Sequence, residues 1–319
     1  MKAKYVNVPI MVVAVLALMF SSCKKENSNT TSEDAVTSAG DVASISAGVD
    51  ATGADAVAAE TGVGAAGQAS GKVESYGPHN PWATICGSTT VDNGTAPNKT
   101  ITITYDGTTK CHGLIRSGIV TIDNLSGIDW NKANAQLTLT YHDLKITDVS
   151  TGDYHILNGT HVITNMTGGT FWKVVAQEVP SGTTVTHKNV STNMQVTFSD
   201  GTTRSYSFDR MRSWNLTNMV ITETTFADGN NYLEQGVGRN GKDFTDQITS
   251  PIIDNNYCQW NPYTGTVVHA VTDMGPTTTM YGTDSQGKPD GGPQTCAQGY
   301  YITVNGGKGP NKFVAYPSE

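Results

Sequence analysis

From Tyr76 onward the chain alternates apolar and polar residues with a period of two, and this constrains its fold more than any other feature. Ile101, Ile103 and Tyr105 fall on one side of a strand, Thr102 and Thr104 on the other. The runs 119–122, 137–141 and 194–198 behave similarly, and Tyr300 to Val304 reads as a late strand. Turn pairs punctuate these runs. Asp106-Gly107 and Asp200-Gly201 are each followed by two threonines, and Asn93-Gly94, Asp228-Gly229 and Asn240-Gly241 add more. Such pairs tolerate the positive φ of tight hairpins. Alternation between tight turns predicts antiparallel sheets with one buried face. The expected fold is all-β, either a sandwich or an extended twisted meander. The Gly- and Pro-rich stretch from Met274 to Gln294 reads as an exposed irregular segment.

The start of the chain is different material. Lys2 and Lys4 precede an apolar run from Ile10 to Phe20, then Ser21-Ser22 and Cys23. That order is a secretory signal over 1–22, closing on a lipobox-like cut that leaves Cys23 as an acylation site. The apolar run is too short to cross ~30 Å of hydrocarbon, which takes about 20 residues. Lys24 to Ser75 has no aromatic residue, no Leu and a single Ile, Ile45. Such a segment buries too little apolar surface to offset its ordering entropy. Residues 23–75 are therefore expected to form a disordered, lipidated tether spanning roughly 40 Å. Helical turns are expected there only near Asp34–Val42 and Ala54–Glu60, because repeated Gly argues against a long helix. The folded domain is expected over 76–319.

The formal net charge is −8, from 20 basic and 28 acidic residues. Removing Lys2 and Lys4 with the signal leaves 18 basic residues and a charge of −10. An acidic exported chain is a poor partner for nucleic acid, which rewards a basic face. It would not adhere to an anionic bilayer by charge either, so membrane association rests on the lipid. Cys86, Cys111, Cys258 and Cys296 remain after Cys23. An even number in an exported chain points to two disulfides. Spacing cannot choose among the three pairings, of which local pairing is the simplest. No Cys-x-x-Cys pair or adjacent His supports zinc, so neither a metal nor a cofactor is expected.

Several segments together resemble an uncharacterised family of Bacteroidota lipoproteins. Cys86 is followed by Thr100-Ile-Thr-Ile-Thr-Tyr-Asp-Gly-Thr-Thr109 and Cys111, then by Ile115-Arg-Ser-Gly-Ile119. Asn158-Gly-Thr160, Val162-Ile-Thr-Asn165, Arg210-Met-Arg-Ser-Trp214, Arg239-Asn-Gly-Lys242 and Cys258-Gln-Trp260 continue the likeness to Cys296 and Thr303-Val-Asn-Gly306. The resemblance implies two regional cysteine pairs and implies no activity. This chain departs from it by a longer Gly/Pro insert between Trp260 and Cys296.

The chemistry search yields one surface candidate. No Gly-x-Ser-x-Gly elbow is present, and the seven His residues form no helical His-x-x-x-His pair. His142-Asp143 reads as a polar strand pair. Asp209, Glu223, Asp243 and Asp246 are available for glycan cleavage, which needs two carboxylates about 5–9.5 Å apart, but they read as turn and edge residues. Asp284 to Asp290 lacks the ligand spacing of a calcium loop. At strand spacing Arg204, Tyr206, Phe208, Arg210, Arg212 and Trp214 share one face. Guanidiniums stacked on rings form an amphipathic platform. Tyr206, Arg210, Arg212 and Trp214 are thus candidate binding residues for a sugar or an acidic group. The plainer reading is an Arg–aromatic ladder paired with nearby carboxylates. The expected function is a non-catalytic binding or scaffolding lipoprotein at the outer membrane, its periplasmic and cell-surface faces both open. The partner would be a glycan or an envelope protein. The alternatives are an envelope hydrolase and a surface-fibre subunit.

Overall fold

The computed structural model describes residues 28–61 and 85–316, apart from 96–97, 125, 176, 178, 227–228, 256–257, 259–260 and 305–308. The expected signal sequence over 1–22, Cys23 and residues 62–84 lie outside the described residues. Helix α1 spans Ser28–Thr61. Then come strands β1 (Ser88–Thr95), β2 (Asn98–Cys111), β3 (Leu114–Asp123), β4 (Ala135–Asp148) and β5 (Tyr154–Asn165). The single-turn helix α2 (Phe171–Val175) precedes β6 (Val185–Phe198), β7 (Thr203–Trp214), β8 (Asn218–Thr225), β9 (Asn231–Tyr232) and β10 (Glu234–Val237). The remaining strands are β11 (Asp243–Asn255), β12 (Pro262–Val271), β13 (Thr277–Thr283), β14 (Gly299–Val304) and β15 (Lys312–Ala315).

The strands form one antiparallel sheet in chain order from β1 to β7, then β10 to β15. The fold is all-β, and of the two architectures expected it is the meander. Strands β8 and β10 share one place in the sheet. β10 pairs Ser205–Phe208 of β7 with Asp243–Asp246 of β11, while β8 pairs Arg210–Trp214 with Ile252–Asn255. The period-two pattern puts Ala135, Leu137, Leu139 and Tyr141 of β4 and Met194, Val196 and Phe198 of β6 on the same buried face.

The two Asp-Gly-Thr-Thr sequences do different work. Asp200-Gly201 closes the β6–β7 hairpin, with Asp200 Oδ1 accepting from Thr202 N at 2.9 Å. Asp106-Gly107 instead makes a bulge inside β2, where the β2–β3 register shifts between Asp106 and Lys110. Comparable shifts occur in mid-strand from β3 through β7, at Ser117/Ile119, Tyr141/Leu144, Asn158/Val162 and Ser191/Met194. Gly118 and Gly159 sit on this line with φ of +113° and +124°. A Cβ there would lie 2.4 Å from Asp143 O and 2.6 Å from Asn193 O, so only glycine fits. Bulges bend strands and increase twist, and this line of them curves the sheet toward α1.

The Met274–Gln294 expectation is corrected over β13. Thr277-Thr-Thr-Met-Tyr281 is β-branched and aromatic enough to pair with both β12 and β14. Both disulfides are local: Cys86–Cys111 with Cα atoms 6.1 Å apart, and Cys258–Cys296 at 5.2 Å.

The larger correction concerns residues 28–61, where the expected tether is a helix of 34 residues, ~51 Å long. The two helical turns expected near Asp34–Val42 and Ala54–Glu60 are parts of it. Its composition is indeed too poor for a helix alone. Gly40, Gly48 and Gly53 each lower helix propensity by ~1 kcal/mol relative to Ala. Docking supplies what propensity lacks. Val36, Val42, Ile45, Val49 and Val57 are buried, as are Ala56, Ala58 and Ala59. Small residues allow close approach: a Cβ on Gly48 would stand 2.7 Å from Ile146 Cδ1. Among the described residues no helix is long and apolar enough to cross a membrane.

Along its length α1 meets strands from across the sheet. Ser38 meets His269 of β12 and Gly40 nears Ile302 of β14. Ser46 bonds Glu234 of β10, and Asp50 pairs with Arg210 and Arg212 of β7. Gly53 nears Ile163 of β5, Asp55 meets Arg116 of β3, and Glu60 meets Lys99 of β2.

Candidate functional site

Strand β7 places Arg204, Tyr206, Phe208, Arg210, Arg212 and Trp214 on one face, as its alternation requires. The guanidiniums lie over the rings: Arg204 is 5.1 Å from the Tyr206 centroid and 4.0 Å from that of Phe244 on β11. Arg210 lies 4.8 Å from Phe208 and Arg212 5.8 Å from Trp214. The ladder exists, but it is no exposed platform. All six residues are buried, because β7 turns this face toward α1. The structure thus gathers Tyr206, Arg210, Arg212 and Trp214 on the inner wall of the helix cradle.

Carboxylates from α1 and from neighbouring strands pair with the cradle's cations. Arg212 Nη2 donates to Asp50 Oδ2 at 2.6 Å, and Arg210 pairs with Asp50 Oδ1. Glu234 takes Arg204 at 3.1 Å and Arg210 at 3.7 Å while accepting from Ser46 of α1. Toward the helix N-terminus Arg239 Nε donates to Asp41 at 2.7 Å. Toward its C-terminus Asp55 accepts from Arg116 at 2.5 Å and from Tyr105 Oη at 2.7 Å. Lys99 reaches Glu60 Oε2 at 3.4 Å. Thus each of the four carboxylates from Asp41 to Glu60 meets a cation from the sheet, and α1 itself carries no Lys or Arg.

Burial dominates the titration of this interior. It raises the Asp254 carboxyl well above its ordinary range, although the Arg212 charge opposes this. It lowers His161 to about 3, with Arg210 adding to the effect, and His187 to about 3, with Arg212 adding. His161 sits between Tyr141 Oη at 3.2 Å and Asn189 Oδ1 at 3.1 Å. A cavity of about 10 Å³ opens between Gly53, His187, Arg212 and Trp214, about the room one water needs. Among the described residues His187 Nε2 and Arg212 Nε have no hydrogen-bond partner there.

A second constellation escaped the sequence reading. His269 Nδ1 is 2.9 Å from Asp246 Oδ1, and His269 Nε2 is 2.9 Å from Ser38 Oγ. The Ser–His–Asp order is that of an activated nucleophile. Its surroundings are those of a lock between helix and sheet. Ser38 is 5 % exposed and His269 1 %. Ser38 also lies within α1, where backbone N–H groups are bonded along the helix and cannot serve an oxyanion. The signal for it was charge: residues 28–61 carry six acidic residues and no Lys or Arg, as suits a segment docked onto a basic wall.

Most of the other candidates have partners of their own. Asp209 accepts from Thr224 and pairs with Lys188 at 3.2 Å, and Glu223 accepts from Ile248 N at 2.8 Å. Asp246 belongs to the His269 relay, and Asp243 is exposed at the start of β11. His142 contacts Thr121 at 3.3 Å, while Asp143 pairs with Asn158. Asp284 Oδ1 caps its own loop through Gln286 N and Lys288 N, each at 2.9 Å. Among the described residues no three His, Cys, Asp or Glu side chains converge as metal ligands. No family model, curated protein or solved structure matches the chain.

Proposed function

We propose that this chain is an exported, lipid-anchored protein of the bacterial outer membrane, of the lipoprotein family it resembles, with a non-catalytic binding or scaffolding role toward a glycan or an envelope protein. The observation that carries the reading is the occupied cradle. The convergent cations and rings of β7 are engaged by the chain's own α1, so the face left for a partner is the outer side of a rigid sheet. Two disulfides suit an oxidising compartment. The Lys2, Lys4, Ser21-Ser22-Cys23 start supports acylation. Cys23→Ala should move the protein from the membrane fraction to the soluble one. Unchanged partitioning would remove the anchor.

One observation favours a second reading as an envelope hydrolase: the Ser38–His269–Asp246 relay. That reading needs a substrate to reach Ser38. A fluorophosphonate probe that labels Ser38 in the folded protein would support it over scaffolding.

A further inference from the structure

We propose that the domain stands directly on the bilayer, with the N-terminal end of α1 toward the lipid and its C-terminal end, beside the β1–β2 turn, directed away. The inference rests on acylation of Cys23 and adds to it an orientation and a lipid-facing surface. Only residues 24–27 separate Cys23 from Ser28. Five residue steps reach ~18 Å at most, whereas a disordered segment over 23–75 would have allowed the domain to drift and tumble at roughly 40 Å. Since α1 is built into the sheet, its N-terminal end fixes which part of the domain is near the lipid.

That end is held by β12 through Ser38, by Arg239 after β10 through Asp41, and by β14. Val36, Ala39 and Ala43 pack with Tyr300, Ile302 and Val304 of β14, with Val314 of β15 against the same cluster. Asp55, which meets β2 and β3, lies 17 residues beyond Ser38, ~25 Å further along the helix axis. β15, beside that end, offers a cation and an apolar ring: Lys312 is exposed and Phe313 half-buried, the pairing by which interfacial segments hold an anionic leaflet.

The test uses the acylated full chain in phosphatidylcholine–phosphatidylglycerol vesicles carrying a rhodamine lipid as quencher. A small fluorescent amino acid replaces either Thr37 on α1 or Asn93 on β1, both exposed. Quenching should be at least three-fold stronger at Thr37. Inserting twenty Gly/Ser residues between Glu26 and Asn27 should erase the difference. Equal quenching at both positions in the native-length chain, or a difference that survives the insertion, would overturn the orientation. The mass of the Cys23 peptide separates the two failures. A missing acyl group refutes the anchor itself, whereas equal quenching in an acylated chain refutes only the orientation.

Discussion

Asp50→Ala tests whether α1 is part of the domain. In the folded chain the Asp50 carboxylate binds two guanidiniums at once, and the Arg210 and Arg212 side chains are only 2 % and 8 % exposed. Removing one member of a buried pair strands the other charge and costs ~3–5 kcal/mol. Arg210 keeps Ser46 Oγ at 3.2 Å and Glu234 at 3.7 Å, so the low end, ~3 kcal/mol, is expected. For a chain of this size that lowers Tm by ~6–12 °C. Urea titration and thermal circular dichroism of the wild type and the variant would read it directly. Arg212→Ala combined with Asp50→Ala should destabilise by less than the sum of the single changes, with a coupling of ~0.5–3 kcal/mol. A solvated segment predicts otherwise, since surface substitutions stay within ~0.5 kcal/mol. An Asp50→Ala effect of that size, with no coupling to Arg212, would refute the docked helix.

Three further outcomes follow from the same interior. Burial and Arg212 hold the folded His187 pKa at about 3 against the usual 6.5, so the unfolded chain takes up a proton first as pH falls. The stability that neutral His187 provides above pH ~6.5 is therefore lost on acidification toward 3, and His187→Gln should flatten stability against pH between 6 and 4 by ~1.4 kcal/mol per unit; an unchanged slope would count against its burial. Replacing Cys258 and Cys296 by Ser opens a loop of sequence separation 38 and should cost ~4 kcal/mol on the loop-entropy estimate, read as a shift in the urea midpoint. Ser38→Ala should cost ~1 kcal/mol, the net value of a buried hydrogen bond, and no fluorophosphonate adduct should form at Ser38 in the folded wild type; an adduct there would show the relay to be an accessible nucleophile.

The strands were legible because period-two alternation survives in any sheet with one dry face. Ile101, Ile103 and Tyr105 show it, and all three are buried. Turn chemistry was less faithful. The same four residues close a hairpin at Asp200 but make a bulge at Asp106, because Asx capping and a positive-φ glycine serve both geometries. The β7 ladder was legible as a face but not as an interior, since nothing local to Arg204–Trp214 says what covers it. Its cover lies some 160 residues earlier in the chain. The helix stayed hidden for a related reason. Sequence reading looks for an apolar stripe, and α1 has none.

The missing stripe follows from the geometry of the cradle. At ~100° per residue, Asp50, Asp55 and Glu60 point ~180°, ~320° and ~100° around the axis from Asp41. Four carboxylates so dispersed can all find cations only if protein encloses most of the helix. From Ala35 on, the exposed residues agree, since Thr37, Ser44 and Ala47 fall within one arc of ~80°. An enclosed helix cannot use bulky apolar side chains on every side without forcing the sheet outward, so Ala, Gly, Ser and Thr fill the turns between the charged residues. The composition that reads as a solvated linker is therefore also that of a helix threaded through a curved sheet. What separates the two is the counter-charge: six acidic residues without a basic one on α1, and a row of arginines on β7 facing a dry wall.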